Sequence, residues 1–196
     1  MRKSWDHFYQ LTQDKSPSAG LVKAISLLGH TGEALDLGCG VGRDTRYLLA
    51  QGFQVTAVDR EAKAIVTLAS LSTPHLYPVQ STFEDFTFAS YALINAHFAL
   101  PFLQTGVFST VFARLKRSLK PDGIFVGQFF GIHDTWNVAG NPMTFLTREQ
   151  ALAELVDLKI MEFEEEDADG ETAEGTTKHW HVFHIIVCKH SPPKIE

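Results

Sequence analysis

The chain has 196 residues, 44% of them hydrophobic, enough to bury the core of one compact domain. Its 17 basic residues are scattered against 23 acidic ones for a formal net charge of −6, which leaves no patch to neutralise a phosphate backbone and excludes nucleic acid as an expected partner. No apolar run approaches the roughly 18 residues of a membrane span, no apolar stretch follows the basic N-terminus, and 2 cysteines make no disulfide framework, so a cytoplasmic monomer or homodimer without membrane contact is expected.

Behind Ser18 as a capping residue, Leu21, Val22, Ile25 and Leu28 recur at helical spacing over 18–29. The chain then alternates. A strand at 34–37 precedes a helix over 43–51 that stops at Gly52; a strand at 54–59 precedes a helix over 61–71; short strands follow at 76–80 and 91–96. Val107, Phe108, Val111, Phe112, Leu115 and Leu119 mark one face of a helix over 104–119, punctuated by Pro121 and Gly123 before a fifth strand at 123–130. Thr147 and Gln150 spell a capping box for a helix through 157, and extended segments at 159–166 and 179–188 close the chain, joined around Asp169 and Gly170 into an antiparallel hairpin at a sheet edge. Continuously apolar strands separated by helices predict an α/β, doubly wound sheet with helices on both faces.

The stretch EALDLGCGVGRD at 33–44 ends a strand in Asp36 and then sets Gly38, Gly40 and Gly42 at every second position. A turn there lies at the carboxyl end of the sheet, where doubly wound proteins bind ligands, and glycine lets the backbone adopt positive φ close to a ligand. The dinucleotide fingerprint is not met, because Arg43 and Thr45 occupy the third-glycine positions, and no G-K-[ST] follows for a phosphate loop. Asp59 closes the next strand, placed to accept hydrogen bonds from ribose hydroxyls. The spacing therefore points to a nucleoside site without a pyrophosphate, with an NAD-dependent oxidoreductase as the weaker alternative.

EALDLGCGVGRDTRYLLAQG with the following VTAVD resembles the cofactor-binding half of class I S-adenosylmethionine-dependent methyltransferases, and among them the small bacterial branch that includes the tellurite-resistance methyltransferases, over roughly 33–130. The resemblance implies a Rossmann-like seven-stranded sheet, mostly parallel with an antiparallel C-terminal strand. It implies S-adenosyl-L-methionine as cofactor and direct displacement of its methyl group onto a small-molecule acceptor, which in that branch extends to a chalcogen oxyanion. A non-catalytic module binding the same cofactor is the alternative. Carried over by position, Asp36, Gly38, Cys39, Gly40 and Gly42 lie against the methionine portion, and Asp59 with Arg60 beside it holds the ribose. Thr82 and Phe83 stand where the family usually places an Asp for the adenine, and Asn95 and Ala96 line the region of the sulfonium. LKPDG replaces the family's LKPGG at 119–123. The single domain over 1–196 then divides into an N-terminal helical lid at 1–30 carrying Trp5 and Tyr9, a cofactor-binding core at 31–130, and a substrate loop, helix and hairpin at 131–196.

The loops after the fourth and fifth strands, 95–102 and 128–137, open on the same sheet edge as the glycine turn and are expected to line the acceptor pocket. They offer His97 and His133 as general bases and Phe98, Phe130 and Trp136 as pocket walls. Arg43 and Arg46 read as surface or ion-paired groups. In KHWHVFHIIVCK, strand alternation puts His179 and His181 on one face and His184 and Cys188 on the other, so at most two ligands converge locally and no metal site is expected.

Overall fold

In the computed structural model, which describes residues 5–191, eight strands form one sheet. The parts of the 1–196 domain beyond 5–191 lie outside the described residues. Strands β1 (Glu33–Leu37), β2 (Gln54–Asp59), β3 (Leu76–Gln80), β4 (Tyr91–Ala96), β5 (Leu119–Gly131), β7 (Leu158–Glu171) and β8 (Thr177–Lys189) take the order β3-β2-β1-β4-β5-β8-β7. The two-residue β6 (Phe145–Leu146) pairs alongside the end of β5. The pairs from β3 through β5 are parallel, whereas β8 runs antiparallel to both β5 and β7.

Each central strand is buried on both faces, which is why its sequence is continuously apolar. On one face, Leu21 and Ala24 of α2 (Ala19–Leu28), Leu48 of α3 (Arg43–Ala50) and Leu68 of α4 (Ala62–Ala69) pack over Val55, Ala57 and Val126. On the other, Phe108, Phe112 and Leu115 of α5 (Thr105–Ser118) and Ala151 of α6 (Arg148–Glu154) cover Phe125 and Phe129. The short α1 (Asp6–Thr12) precedes these layers. The edge strand β7 is mostly exposed, and its run of carboxylates discourages pairing with another chain.

Three local expectations are corrected. Ser18 occupies the position before α2 but makes no side-chain cap; its backbone N–H and hydroxyl both donate to Asp44, each at 2.9 Å. Leu119 is not the end of α5 but the first residue of β5, paired with Tyr91, and Asp122 takes the left-handed conformation (φ +60°), which glycine adopts more readily. The hairpin does not reverse at Asp169 and Gly170: these pair with His179 and Lys178, and the chain turns at 172–176, where Gly175 has φ +77° and the Gly175 N–H bonds to the Thr172 carbonyl.

Candidate functional site: a cleft at the carboxyl end of the sheet

Parallel pairing of β1, β2 and β4 delivers their carboxyl ends to one rim, and the turn after β1 crosses it. Gly38, Gly40 and Gly42 all have positive φ, at +77°, +50° and +88°. Two of them are fixed by what presses on them: a Cβ on Gly38 would lie 2.7 Å from that of Ala99, and one on Gly40 would lie 3.2 Å from the Tyr9 ring. The turn is anchored to β2, since the Gly38 and Cys39 N–H groups donate to the Val58 carbonyl. Below it Asp59 accepts the Gly40 N–H on one oxygen and the Glu61 N–H on the other, both at 2.9 Å. Burial raises its pKa. Each oxygen keeps a second lone pair, and the carboxylate lines the cleft.

Deeper in, two carboxylates share a buried hydrogen-bond network. Asp36 accepts hydrogen bonds from the Thr45 hydroxyl and, at 2.9 Å, from the Asn95 amide, which also reaches Asp44 at 3.2 Å. Burial, with Asp44 nearby, pushes the Asp36 carboxyl up to about 7. Asp44 is also raised by burial, but Arg43 and the Ser18 N–H outweigh this and hold it below the usual range. Asn95 is buried, and its Oδ1 is the one buried side-chain polar atom without a hydrogen-bond partner among the described residues.

All this borders a cleft of about 1060 Å³. Of the residues expected to hold a cofactor, Asp36, Gly38, Cys39, Gly40, Asp59, Arg60, Thr82 and Phe83 line it. Gly42, Asn95 and Ala96 do not. A Cβ on Gly42 would overlap the Leu68 side chain, so that glycine serves the packing of α3 on α4, while Ala96 is fully buried and Asn95 acts through the two aspartates. Tyr9 lies on Gly40, and Trp5 meets Phe102 edge-on at 5.5 Å, so the N-terminal aromatics do form part of the wall.

The other half of the cleft is aromatic. Phe98 sits in the left-handed region (φ +47°), held by its N–H donating to Gln128 Oε1 at 2.8 Å. Its ring meets Phe130 and Trp180 at 5.9 and 5.8 Å, and Trp136 meets Trp180 at 5.5 Å. Between the two indoles lies the Lys178 ammonium, 3.8 Å from the Trp136 ring and 3.7 Å from that of Trp180, ion-paired with buried Asp134. Burial lowers the Lys178 pKa, against the pull of Asp134. His184 bonds Glu166 at 3.0 Å on the same wall. The two-residue period of β8 places Lys178, Trp180 and His184 on one face, opposite His179 and His181, and this is the face that meets the cleft.

His97 reaches the cleft, where burial and the nearby Arg43 charge push its pKa down to about 4, so it is neutral at pH 7 and a weak base. His133 does not reach it. It lies on the opposite face of the hairpin, with Nδ1 2.9 Å from Asp167 and its ring stacked on His181 at 4.7 Å. The donor atoms of His133, Asp167 and His181 lie within 4.8 Å of one another, so more ligand types converge here than β8 alone supplies. Both His181 nitrogens are engaged: Nδ1 accepts the His133 N–H at 3.0 Å and Nε2 faces Glu165 at 3.0 Å.

Residues 34–123 match the family described as methyltransferase domain. Among curated proteins, the chain is similar to hemagglutinin 1 of Eikenella corrodens, at 26% identity over 82% of this chain and 54% of that protein. It is also similar to an uncharacterized methyltransferase of Synechocystis, at 33% identity over 47% of this chain and 44% of that one; the chain thus spans about half the length of these relatives. Its fold resembles that of TehB from Haemophilus influenzae (TM-score 0.77, 17% identity, covering 94% of this chain and 66% of that one). It also resembles 1,6-didemethyltoxoflavin-N1-methyltransferase from Burkholderia thailandensis, solved with bound 1,6-didemethyltoxoflavin and S-adenosylhomocysteine (TM-score 0.70, 21% identity, covering 96% and 84%). A third likeness is to the N-methyltransferase NodS of Bradyrhizobium japonicum (TM-score 0.67, 17% identity, covering 97% and 100%).

Proposed function

We propose that this chain transfers a methyl group from S-adenosylmethionine to a small-molecule acceptor, a reading supported by the match of residues 34–123 to the methyltransferase domain family and by a fold shared with methyltransferases solved with S-adenosylhomocysteine. The observation that carries this reading is the joining of two unlike halves in one cleft: a glycine turn over a buried carboxylate, and an aromatic chamber beside it. The residues present fit the cofactor. Gly38 and Gly40 leave the turn without side chains, Asp59 keeps lone pairs for two ribose hydroxyls, and Thr82 and Phe83 line the cleft beyond it. When bound, S-adenosylmethionine supplies a methyl group already activated by its sulfonium charge. The protein's task is then to exclude water and align the acceptor, and alignment alone can lower a barrier by about 7 to 11 kcal/mol at best. His97, neutral and half-buried, is the candidate to receive a proton from an acceptor that carries one, and His133 has no such position.

Titration calorimetry tests the reading. S-adenosylmethionine and S-adenosylhomocysteine are expected to bind and NADH not to. Asp59→Ala should weaken both by about 1.5 to 3 kcal/mol for each ribose hydrogen bond lost. Binding of NADH alone would sink the proposal; cofactor binding without methyl transfer to any of a broad acceptor panel would favour a nucleoside-binding module instead.

A further inference from the structure

We propose that the side of the β7–β8 hairpin turned away from the cleft holds a divalent transition-metal ion, foremost Zn2+, on His133, Asp167 and His181. In the antiparallel ladder Asp167 stands opposite His181 and Asp169 opposite His179, so one face of the ribbon sets carboxylates against imidazoles, and the loop after β5 adds His133 to it. None of these residues lines the cleft, so the site is independent of what the cleft binds. The donor atoms of His133, Asp167 and His181 already lie within 4.8 Å of one another. Two imidazoles and one carboxylate suit zinc and its neighbours in the first transition row, whereas Mg2+ and Ca2+ take oxygen ligands.

The tautomers put a lone pair on offer. Hydrogen bonds from His133 and His181 hold Asp167 and Glu165, respectively, below the usual carboxylate range, and an ionised carboxylate only accepts. His181 therefore carries its proton on Nε2, donated to Glu165 at 3.0 Å, and turns the Nδ1 lone pair toward His133, whose backbone N–H it accepts at 3.0 Å. That is the orientation of a metal-ligating histidine whose far nitrogen is tied to a carboxylate. The His181 ring is buried against Gly131, where a Cβ would overlap it, so this ligand is fixed in place. Asp167 is braced as well: its other oxygen meets His179 Nε2 at 2.7 Å, and His179 Nδ1 meets Asp169 at 2.8 Å.

Charge and geometry both admit the ion. The cluster joins three carboxylates, Glu165, Asp167 and Asp169, to Arg148, which pairs with Glu165, and to His179, whose pKa is raised by Asp167 and Asp169. Even with His179 protonated its balance is negative, which favours a cation. Zinc holds nitrogen and oxygen at about 2.0 to 2.2 Å, which sets the donors of a tetrahedron about 3.3 to 3.6 Å apart, so the widest gap closes by at most about 1.5 Å. The His133 side chain, 60% exposed, supplies that movement. Its backbone N–H leaves His181 Nδ1 for water, and its ring proton passes from Nδ1 to the outer Nε2 as Nδ1 turns to the ion. Asp167 contributes the oxygen that now faces His133 at 2.9 Å, and water completes the shell. The ion then ties the loop carrying Trp136 to the strand carrying Trp180 and braces the cleft wall from behind.

Calorimetry of the untagged chain with Zn2+ and Mg2+ tests the site. One Zn2+ per chain is expected to bind, and Mg2+ only far more weakly. His133→Ala and Asp167→Asn change exposed side chains and should each weaken Zn2+ at least about tenfold. His75→Ala, at an exposed histidine beside the opposite sheet edge, should leave it unchanged. Cu2+ gives a second readout, since its electron paramagnetic resonance spectrum should show two coordinated imidazoles in the wild type and one in His133→Ala. Absence of saturable Zn2+ binding, equal Zn2+ affinity in His133→Ala, or Mg2+ bound as tightly as Zn2+ would overturn the proposal. Each of these outcomes leaves the methyltransferase reading as it stands.

Discussion

Asp36 places a titrating group where the cofactor's charge is expected. Its folded value of about 7 lies above the usual 3.8 because burial, and then Asp44, disfavours the carboxylate. The native protein therefore holds a proton that the unfolded chain releases above pH 4. Such a group contributes stability that is complete below the unfolded value and lost as pH rises through about 7. Asp44, shifted downward, acts only below the ordinary carboxylate range, so it does not cancel this slope. Between pH 5 and 7, stability measured by urea denaturation is expected to fall by up to about 1.4 kcal/mol per pH unit more in the wild type than in Asp36→Asn. Equal slopes would remove Asp36 as the source. The same proton bears on binding: a sulfonium favours the ionised carboxylate, so affinity for S-adenosylmethionine should rise through pH 7 more steeply than affinity for S-adenosylhomocysteine, whose sulfur is a neutral thioether. The aspartate itself could be picked out from the strand ending; its partners could not. Ser18 reads locally as a helix cap, and only the folded chain shows its hydroxyl on Asp44, 26 positions away.

The turn after β1 and the box before α6 give two tests of how local sequence fixes elements. Gly42 combines a positive φ with direct packing on Leu68, so Gly42→Ala meets both a left-handed penalty and overpacking. A loss of about 2 to 5 kcal/mol in chemical denaturation follows, with the α3–α4 contact as its cause; a near-neutral effect would mean the turn relaxes freely. At α6, Gln150 N–H donates to Thr147 Oγ1 while Thr147 N–H donates to Gln150 Oε1. Thr147→Ala should cost about 1 kcal/mol in the same measurement, and Thr147→Ser should restore most of it. The box was readable from four residues because all its partners are local. The hairpin was not. Asp-Gly is a strong short-range turn signal, yet here β7 and β8 continue their ladder past it, and Gly170 leaves room for Trp180, whose ring would touch a Cβ at 3.0 Å. The aromatic chamber was half legible for a similar reason. Phe98 and Trp136 stand in loops that open at the ligand-binding edge and Phe130 near the end of β5, but Trp180 and Lys178 enter from the last strand, and only the β5–β8 pairing brings them there.

Both core layers share the same sheet, and the cleft draws its walls from α1, from the turns after β1, β2 and β4, and from the terminal hairpin. A ligand in that cleft would touch segments from nearly the whole chain. Unfolding any of them would release it, so ligand and fold should be thermodynamically linked as one unit. With S-adenosylhomocysteine at 100 times its dissociation constant, linkage adds about 2.7 kcal/mol to the native state. For a domain of this size each kcal/mol raises the melting temperature by about 2 to 4 °C, so the midpoint should climb by roughly 5 to 10 °C in a single calorimetric transition. Two transitions, with only the earlier or later one moved by the ligand, would show that 31–130 folds apart from the hairpin. In that case the aromatic chamber could not report on the cofactor half through the sheet. A single shifted transition in the wild type, and a much smaller shift in Asp59→Ala at the same ligand concentration, would tie the stabilisation to the Asp59 carboxylate.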